Sequence, residues 1–160
     1  MKRLNDKLII RETSEQDTPQ IFTLIRELAE YERLSDSVTA DEKLLKENLF
    51  GKNKYAQVIF AEYEGKIAGQ ALFFYNFSTF KGKPGIYLED LYVRSAFRKR
   101  GIGKALLMYL IEVAKAKNCG RVEWVVLDWN QSAIDFYRSI GAKPIADWIV
   151  FRLSENAFPG

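Results

Sequence analysis

A mixed α/β fold, with a mostly antiparallel central sheet flanked by helices in the order βααβββαβαβ, is the architecture this 160-residue sequence predicts. Two observations carry it. The apolar runs 56–63 and 66–77 are separated only by Glu64-Gly65, a hairpin signal that makes neighbouring strands antiparallel. A helical pattern over 102–118 lies between the apolar runs 86–93 and 121–127. A strand, a helix and a second strand in that order form a crossover, which sets at least one parallel pair in the sheet.

The elements follow in order. Residues 8–11 read as a first strand. Thr18 and Pro19 supply an N-cap and a first-turn proline. Ile21, Phe22, Leu24, Ile25, Leu28 and Ala29 then recur with helical period. Thr39 to Glu42 has the spacing of a capping box, opening a shorter helix with Leu44, Leu45 and Leu49 turned inward. After the hairpin comes a polar loop, 78–85, and then the strand 86–93. The helix over 102–118 buries Leu106, Leu107, Leu110, Ile111 and Ala114 and closes near Gly120. Asn130 reads as the N-cap of a last helix that runs to Ile140 and stops at Gly141. Residues 148–153 alternate like a final strand.

Length and composition describe one domain, 1–160, with an ordinary globular balance of residues. No apolar run is long enough for a membrane span, and the positive start of the chain is followed by no apolar signal region. A cytoplasmic protein is therefore expected. The sequence has no histidine, which excludes Ser-His-Asp, Cys-His and His-metal chemistry. Cys119 is the only cysteine, which excludes an internal disulfide and a cysteine zinc cluster. No metal is expected.

The net charge is only +3, yet Arg94, Arg98, Lys99, Arg100 and Lys104 crowd into one short stretch. Such a cluster calls for an anionic partner, either nucleic acid or a phosphorylated cofactor. The cations surround Gly101-Ile102-Gly103 at the start of a helix. Glycines let several N–H groups converge on an anion, and the helix start adds unpaired donors and a positive dipole end. Strand, basic glycine turn and helix together form a pyrophosphate site. Two better-known phosphate motifs do not fit. The dinucleotide fingerprint needs glycine where Leu106 stands, and the P-loop needs Ser or Thr where Ala105 follows Lys104.

Arg98-x-x-Gly101-x-Gly103 after an apolar strand resembles the acetyl-CoA pyrophosphate motif of the GNAT superfamily of N-acetyltransferases. Asp128-Trp129-Asn130, Ala133-x-x-Phe136-Tyr137 and Gly141-Ala142 are similar to that family's closing motif. The stretches YLEDLYV, DWNQSAIDFY and LIRELAEYE resemble its diamine (spermidine/spermine-type) and thialysine acetyltransferase branch. The resemblance covers nearly the whole chain. It implies a GNAT-like sheet, acetyl-CoA as cosubstrate, a small-molecule amine as acceptor, and a homodimer.

The same resemblance assigns roles. Tyr137, which periodicity alone would place in a core, becomes the acid that protonates the departing thiolate, and a phenol is protonated at neutral pH. Glu89 is costly among apolar neighbours unless it is paired or serves a function. It becomes the base that takes a proton from the ammonium substrate through water. Asp90 lies on the opposite face of a regular strand and receives no role, although the family has a bulge there. The backbone of Leu91, Tyr92 and Val93 is assigned to pantetheine and the thioester carbonyl. Arg98, Lys99, Arg100, Gly101, Ile102, Gly103 and Lys104 are assigned to pyrophosphate, and Asn130 and Ala133 to a further CoA contact. Tyr31, Glu32, Glu89 and Asp147 are expected to line the amine site.

The expected activity is direct acetyl transfer from acetyl-CoA to a primary amine in a ternary complex, with no acyl-enzyme. A net basic chain whose 77–85 loop carries lysines favours a diamine or a lysine-like amine over spermine. Two other readings stand beside it: a CoA-binding sensor without turnover, and a nucleic-acid-binding protein. Nucleic acid fits worse, because the cations concentrate at one helix start instead of spreading along a face. No membrane partner is expected.

Overall fold

The computed structural model describes residues 1–159. The chain forms two compact units, Met1–Trp124 and the residues from Val125 onward. The first holds the sheet, whose six strands follow chain order: β1 (Lys2–Arg3), β2 (Leu8–Glu12), β3 (Gln57–Tyr63), β4 (Lys66–Ser78), β5 (Lys83–Val93) and β6 (Val122–Glu123). All neighbours are antiparallel except β5 and β6, the pair joined by the crossover. The β3–β4 turn places Glu64 and Gly65 both at positive φ, the geometry that matches the twist of a hairpin.

Helices cover both faces of the sheet. On one, α1 (Thr18–Tyr31) and α2 (Glu42–Phe50) contribute Ile21, Leu24, Leu28 and Leu49 to a core with Val58, Phe60 and Tyr92. On the other, α3 (Ile102–Ala116) packs against β5 and β4 and buries Ile102, Leu106, Leu107, Leu110 and Ala114. Packing of these apolar stripes stabilises the helices more than propensity does.

Several expected boundaries move. The residue capping α1 is Asp17, and Thr18 is the first helical residue, buried. In α2 the cap is Asp41, whose Oδ1 accepts from Leu44 N at 2.8 Å, so Thr39 caps nothing. Leu44, expected inward, is exposed as a result, and Leu49 carries the burial. The 78–85 loop is shorter than expected because β5 begins at Lys83. β1 was not expected; two polar residues give no periodic signal.

The second unit holds α4 (Gln131–Ser139), capped as expected by Asn130, whose Oδ1 accepts from Ala133 N at 3.3 Å. The strand expected over 121–127 shrinks to β6. The final strand expected over 148–153 does not form; Trp148, Ile149, Val150, Phe151 and Leu153 are exposed. Alternation specifies which side chains share a face, but a strand also needs an edge to pair with, and the sequence does not supply that.

Candidate active site

β5 carries the site in the first unit. Leu72 pairs with Asp90 and Phe73 with Leu88, so Glu89 is an extra residue with no partner opposite. This is a β-bulge, and it resets the alternation of the strand. Leu88 is buried with Phe73, whereas Asp90 and Tyr92 pair with Leu72 and Gln70 on the face that carries α1 and α2. Glu89 itself is exposed.

The bulge groups acids. Burial chiefly, then the negative charges of Glu89 and Glu32, push the Asp90 carboxyl up to about 6. Burial also raises the Glu32 carboxyl above its ordinary value. Glu32 follows α1 directly, so a helix end and a bulged strand bring three carboxylates into one electrostatic neighbourhood. Asp90, which sequence reasoning left without a role, has a strongly raised carboxyl. A carboxylate inside an apolar run was the available signal.

β5 is also open on one side. Its parallel pairing with β6 covers only Ile86 and Tyr87. Beyond Tyr87, through Leu91, Tyr92 and Val93, its partner strand within this unit is β4 alone. The backbone assigned to pantetheine thus lies on a strand whose second edge is unpaired within this unit.

At the end of β5 the chain turns into α3. Gly101 is the N-cap at φ +75°, in the left-handed region, and no side chain caps the helix. A Cβ built on Gly101 meets nothing within 4 Å, and one on Gly103 meets only Val93 Cγ2 at 3.7 Å, an ordinary contact. Gly101 answers a backbone need. Gly103 does not: it is helical, has room for a methyl, and glycine costs helix stability. A glycine that the fold itself does not require, beside uncapped N–H groups, suits close approach of an anionic ligand.

The cations around this turn are not equivalent. Arg98 lies over the Tyr31 ring at 4.5 Å and the Tyr92 ring at 5.9 Å, and its Nε donates to the Val93 carbonyl at 3.0 Å. Arg100 lies over Tyr63 at 5.0 Å. Lys99 adopts φ +60°, and Lys104 is exposed in the first turn of α3. These cations cluster around one turn, where Arg98 and Arg100 stack on tyrosines.

A pocket of about 330 Å³ adjoins Tyr92, lined by Glu27, Glu30 and Tyr31 of α1 and by Tyr92, Arg94 and Ser95. Of the residues expected to line the amine site, Tyr31 is in this wall and Glu32 is beside Asp90. Sequence reasoning missed Glu27 and Glu30, although Glu27 lies three residues before Glu30 and four before Tyr31, spacings that bring side chains together on a helix. In the second unit, Ala133 and Tyr137 are half-buried on α4, and the Phe136 and Tyr137 ring centroids are 5.3 Å apart. Asp147 is exposed outside any helix or strand. Among the described residues, no group of three His, Cys, Asp or Glu side chains could hold a metal, and no helix is long and apolar enough to cross a membrane.

Residues 18–142 match the acetyltransferase (GNAT) family. The chain is 38% identical over 161 residues to a thialysine N-epsilon-acetyltransferase of Bos taurus, covering 94% of each protein. It is 43% identical over 91 residues to an L-ornithine N5-acetyltransferase of Arabidopsis thaliana, 57% of this chain and 40% of that protein. Among solved structures, an integron cassette protein of V. cholerae superposes with a TM-score of 0.81 at 28% identity, covering 96% of both chains.

Proposed function

The chain belongs to the GNAT family of acetyltransferases and is an amine acyltransferase; on that premise we propose that it transfers acetyl from acetyl-CoA to a primary amine of a small molecule, directly and in a ternary complex. The observation that carries the reading is the uncapped start of α3 at Gly101, with Gly103 open beside it, at the end of a bulged strand. The first-turn N–H groups of Ile102, Gly103 and Lys104 would hold the pyrophosphate, with Lys99 and Lys104 adding charge. The unpaired edge of β5 at Leu91–Val93 would bind pantetheine, one N–H polarising the thioester carbonyl.

In the transfer, a C–N bond forms as the C–S bond breaks. Glu89 takes the ammonium proton through water, which frees the nitrogen lone pair. Tyr137 gives its hydroxyl proton to the departing sulfur. Asp90 and Glu32 attract the cationic amine, and their charge holds it near the bulge. Cys119 follows α3 at its C-terminal end, whereas Gly101 and Gly103 stand at its start, and it takes no part in the transfer. Assembly as a homodimer and residence in the cytoplasm belong to the same proposal.

Titration with acetyl-CoA followed by a kinetic panel of diamines, lysine-like amines and polyamines tests it. Binding of acetyl-CoA and turnover of a diamine or lysine-like amine are expected. Binding without turnover on any amine would contradict transfer and favour a sensor. Acetyl transfer best on spermine would contradict the ranking of substrates.

A further inference from the structure

Gln70 of β4 is wholly buried, and neither its Nε2 nor its Oε1 has a hydrogen-bond partner among the described residues. Phe60 of β3 and Tyr92 of β5 stand opposite it on either side, on the face that carries α1 and α2. The core packed there is apolar, with Ile21, Leu24, Leu28 and Val58. A side-chain amide has two N–H donors and an acceptor oxygen, and burying them unpaired costs stability. Leucine or methionine would fill the same space without that cost, so packing does not account for the residue. A second group on this face lacks a hydrogen bond. Asp90 pairs with Leu72, two residues along β4 from Gln70, and its carboxyl accepts none among the described residues.

We infer that Gln70 is a positioning residue for Asp90: its Nε2 donates to the ionised carboxylate and holds that group for the incoming amine. This role rests on the amine acetyltransferase reading above. Gln70 and Asp90 are diagonal neighbours on antiparallel strands, about 7–8 Å apart, a span that a long side chain can cross. Rotation of the Gln70 side chain closes the distance. An amide also suits a partner that titrates. Oε1 can accept from the protonated carboxyl and Nε2 can donate to the ionised one, and the bond to the charged form is the stronger. Being neutral, glutamine leaves Asp90 its full attraction for an ammonium, which a lysine or arginine at this position would cancel. The charges that act on Asp90 are Glu89 on β5 and Glu32 beyond α1, and both oppose its ionisation. Towards this face β3 and β4 bring Val58, Phe60, Leu72 and Gln70, and α1 and α2 bring Ile21, Leu24, Leu28 and Leu49. Among these side chains only Gln70 has a donor that favours the ionised state.

Titration of the Asp90 carboxyl by NMR in the full chain tests this without any need for turnover. Gln70→Leu and Gln70→Met remove the amide and nearly keep its volume. Each is expected to raise the Asp90 midpoint by about one pH unit, equivalent to a tenfold weaker hold on the charged form. Each should also leave the melting temperature unchanged or higher, because an unpaired buried group is gone. In the wild-type protein the Gln70 side-chain amide protons are expected to shift with the same midpoint as the carboxyl, and this decides should both variants fail to fold. Kinetics at saturating acetyl-CoA read the consequence. The inflection in kcat/KM for the amine moves up with the midpoint, so the variants lose about threefold at pH 6.5 and less as pH rises. In an Asp90→Asn background, Gln70→Leu is expected to change kcat/KM by less than about twofold, since the partner is already gone. A midpoint unmoved in every folded variant, or a Gln70 amide that ignores the Asp90 titration, would overturn the inference and leave the acetyltransferase reading intact. A moved midpoint with no acetyl transfer to any amine would overturn that reading and the positioning role with it.

Discussion

Asp90 pairs with Leu72 across the β4–β5 ladder, one residue out of the register set by Phe73 and Leu88. Its carboxyl therefore lies on the face covered by α1, where burial, with Glu89 and Glu32, raises it to about 6 from an ordinary 3.8. The folded chain holds that proton at pH values where the unfolded chain has lost it. Stability from this group is thus fully present below about 4 and is lost as pH rises towards 6. Asp90→Asn is expected to stabilise the protein at pH 7.5 by up to about 3 kcal/mol, since each pKa unit is about 1.4 kcal/mol. Urea unfolding of both proteins at pH 4 and pH 7.5 checks this, and the gap should close at the lower pH.

The same variant should lose activity. An ionised Asp90 attracts the ammonium, so wild-type kcat/KM for the amine is expected to fall as pH drops through about 6. Asp90→Asn should lower kcat/KM at least tenfold and remove that inflection from the pH profile.

Arg11 stabilises the fold at the opposite edge of the pH scale. It bonds both oxygens of Asp17 at 2.9 Å and Glu62 at 2.6 Å, and stacks over Phe60. The Arg11 side-chain hydrogen bond chiefly holds the Asp17 carboxyl below its ordinary value, so this contribution is present above about 4 and is lost as pH falls through the lowered value. Arg11→Ala is expected to cost about 2 kcal/mol at pH 7, much of it from the half-buried carboxylates left unpaired. Thermal unfolding of the variant should show a weaker dependence on acid than wild type.

The two glycines of the α3 turn should separate folding from binding. Gly101→Ala forces an L residue into the left-handed region and is expected to cost about 1–2 kcal/mol. Gly103→Ala replaces a helical glycine that has room for a methyl, so it should leave the melting temperature unchanged or raise it. It is nonetheless expected to weaken acetyl-CoA binding at least tenfold, measured by calorimetry. Unchanged affinity would mean that the ligand does not approach this backbone.

Tyr137→Phe removes the proposed proton donor and keeps the ring that packs with Phe136. A fall in kcat of about a hundredfold, with acetyl-CoA affinity retained, is the expected result. An unchanged kcat would move the acid to another group.

Much of the fold was legible because it rests on local signals. The Glu64-Gly65 turn, the stripe of α3 and the Asn130 cap all appear in the structure where the sequence places them. What it hid depends on partners distant along the chain. Residues 148–153 alternate well, yet alternation does not say which edge a strand will meet. The Glu27–Arg94 pair joins residues 67 positions apart, which no spacing rule anticipates. Asp90 shows the limit within a single element. Its acid character was visible, but its face was set by a bulge that local periodicity does not record.

Acetyl transfer from acetyl-CoA to a small primary amine is tested most directly by thiol release. With acetyl-CoA and L-lysine or L-ornithine, free thiol is expected to appear in step with N-acetylated product identified by mass spectrometry. Thiol release that is independent of amine, or none with any amine although acetyl-CoA binds, would contradict it.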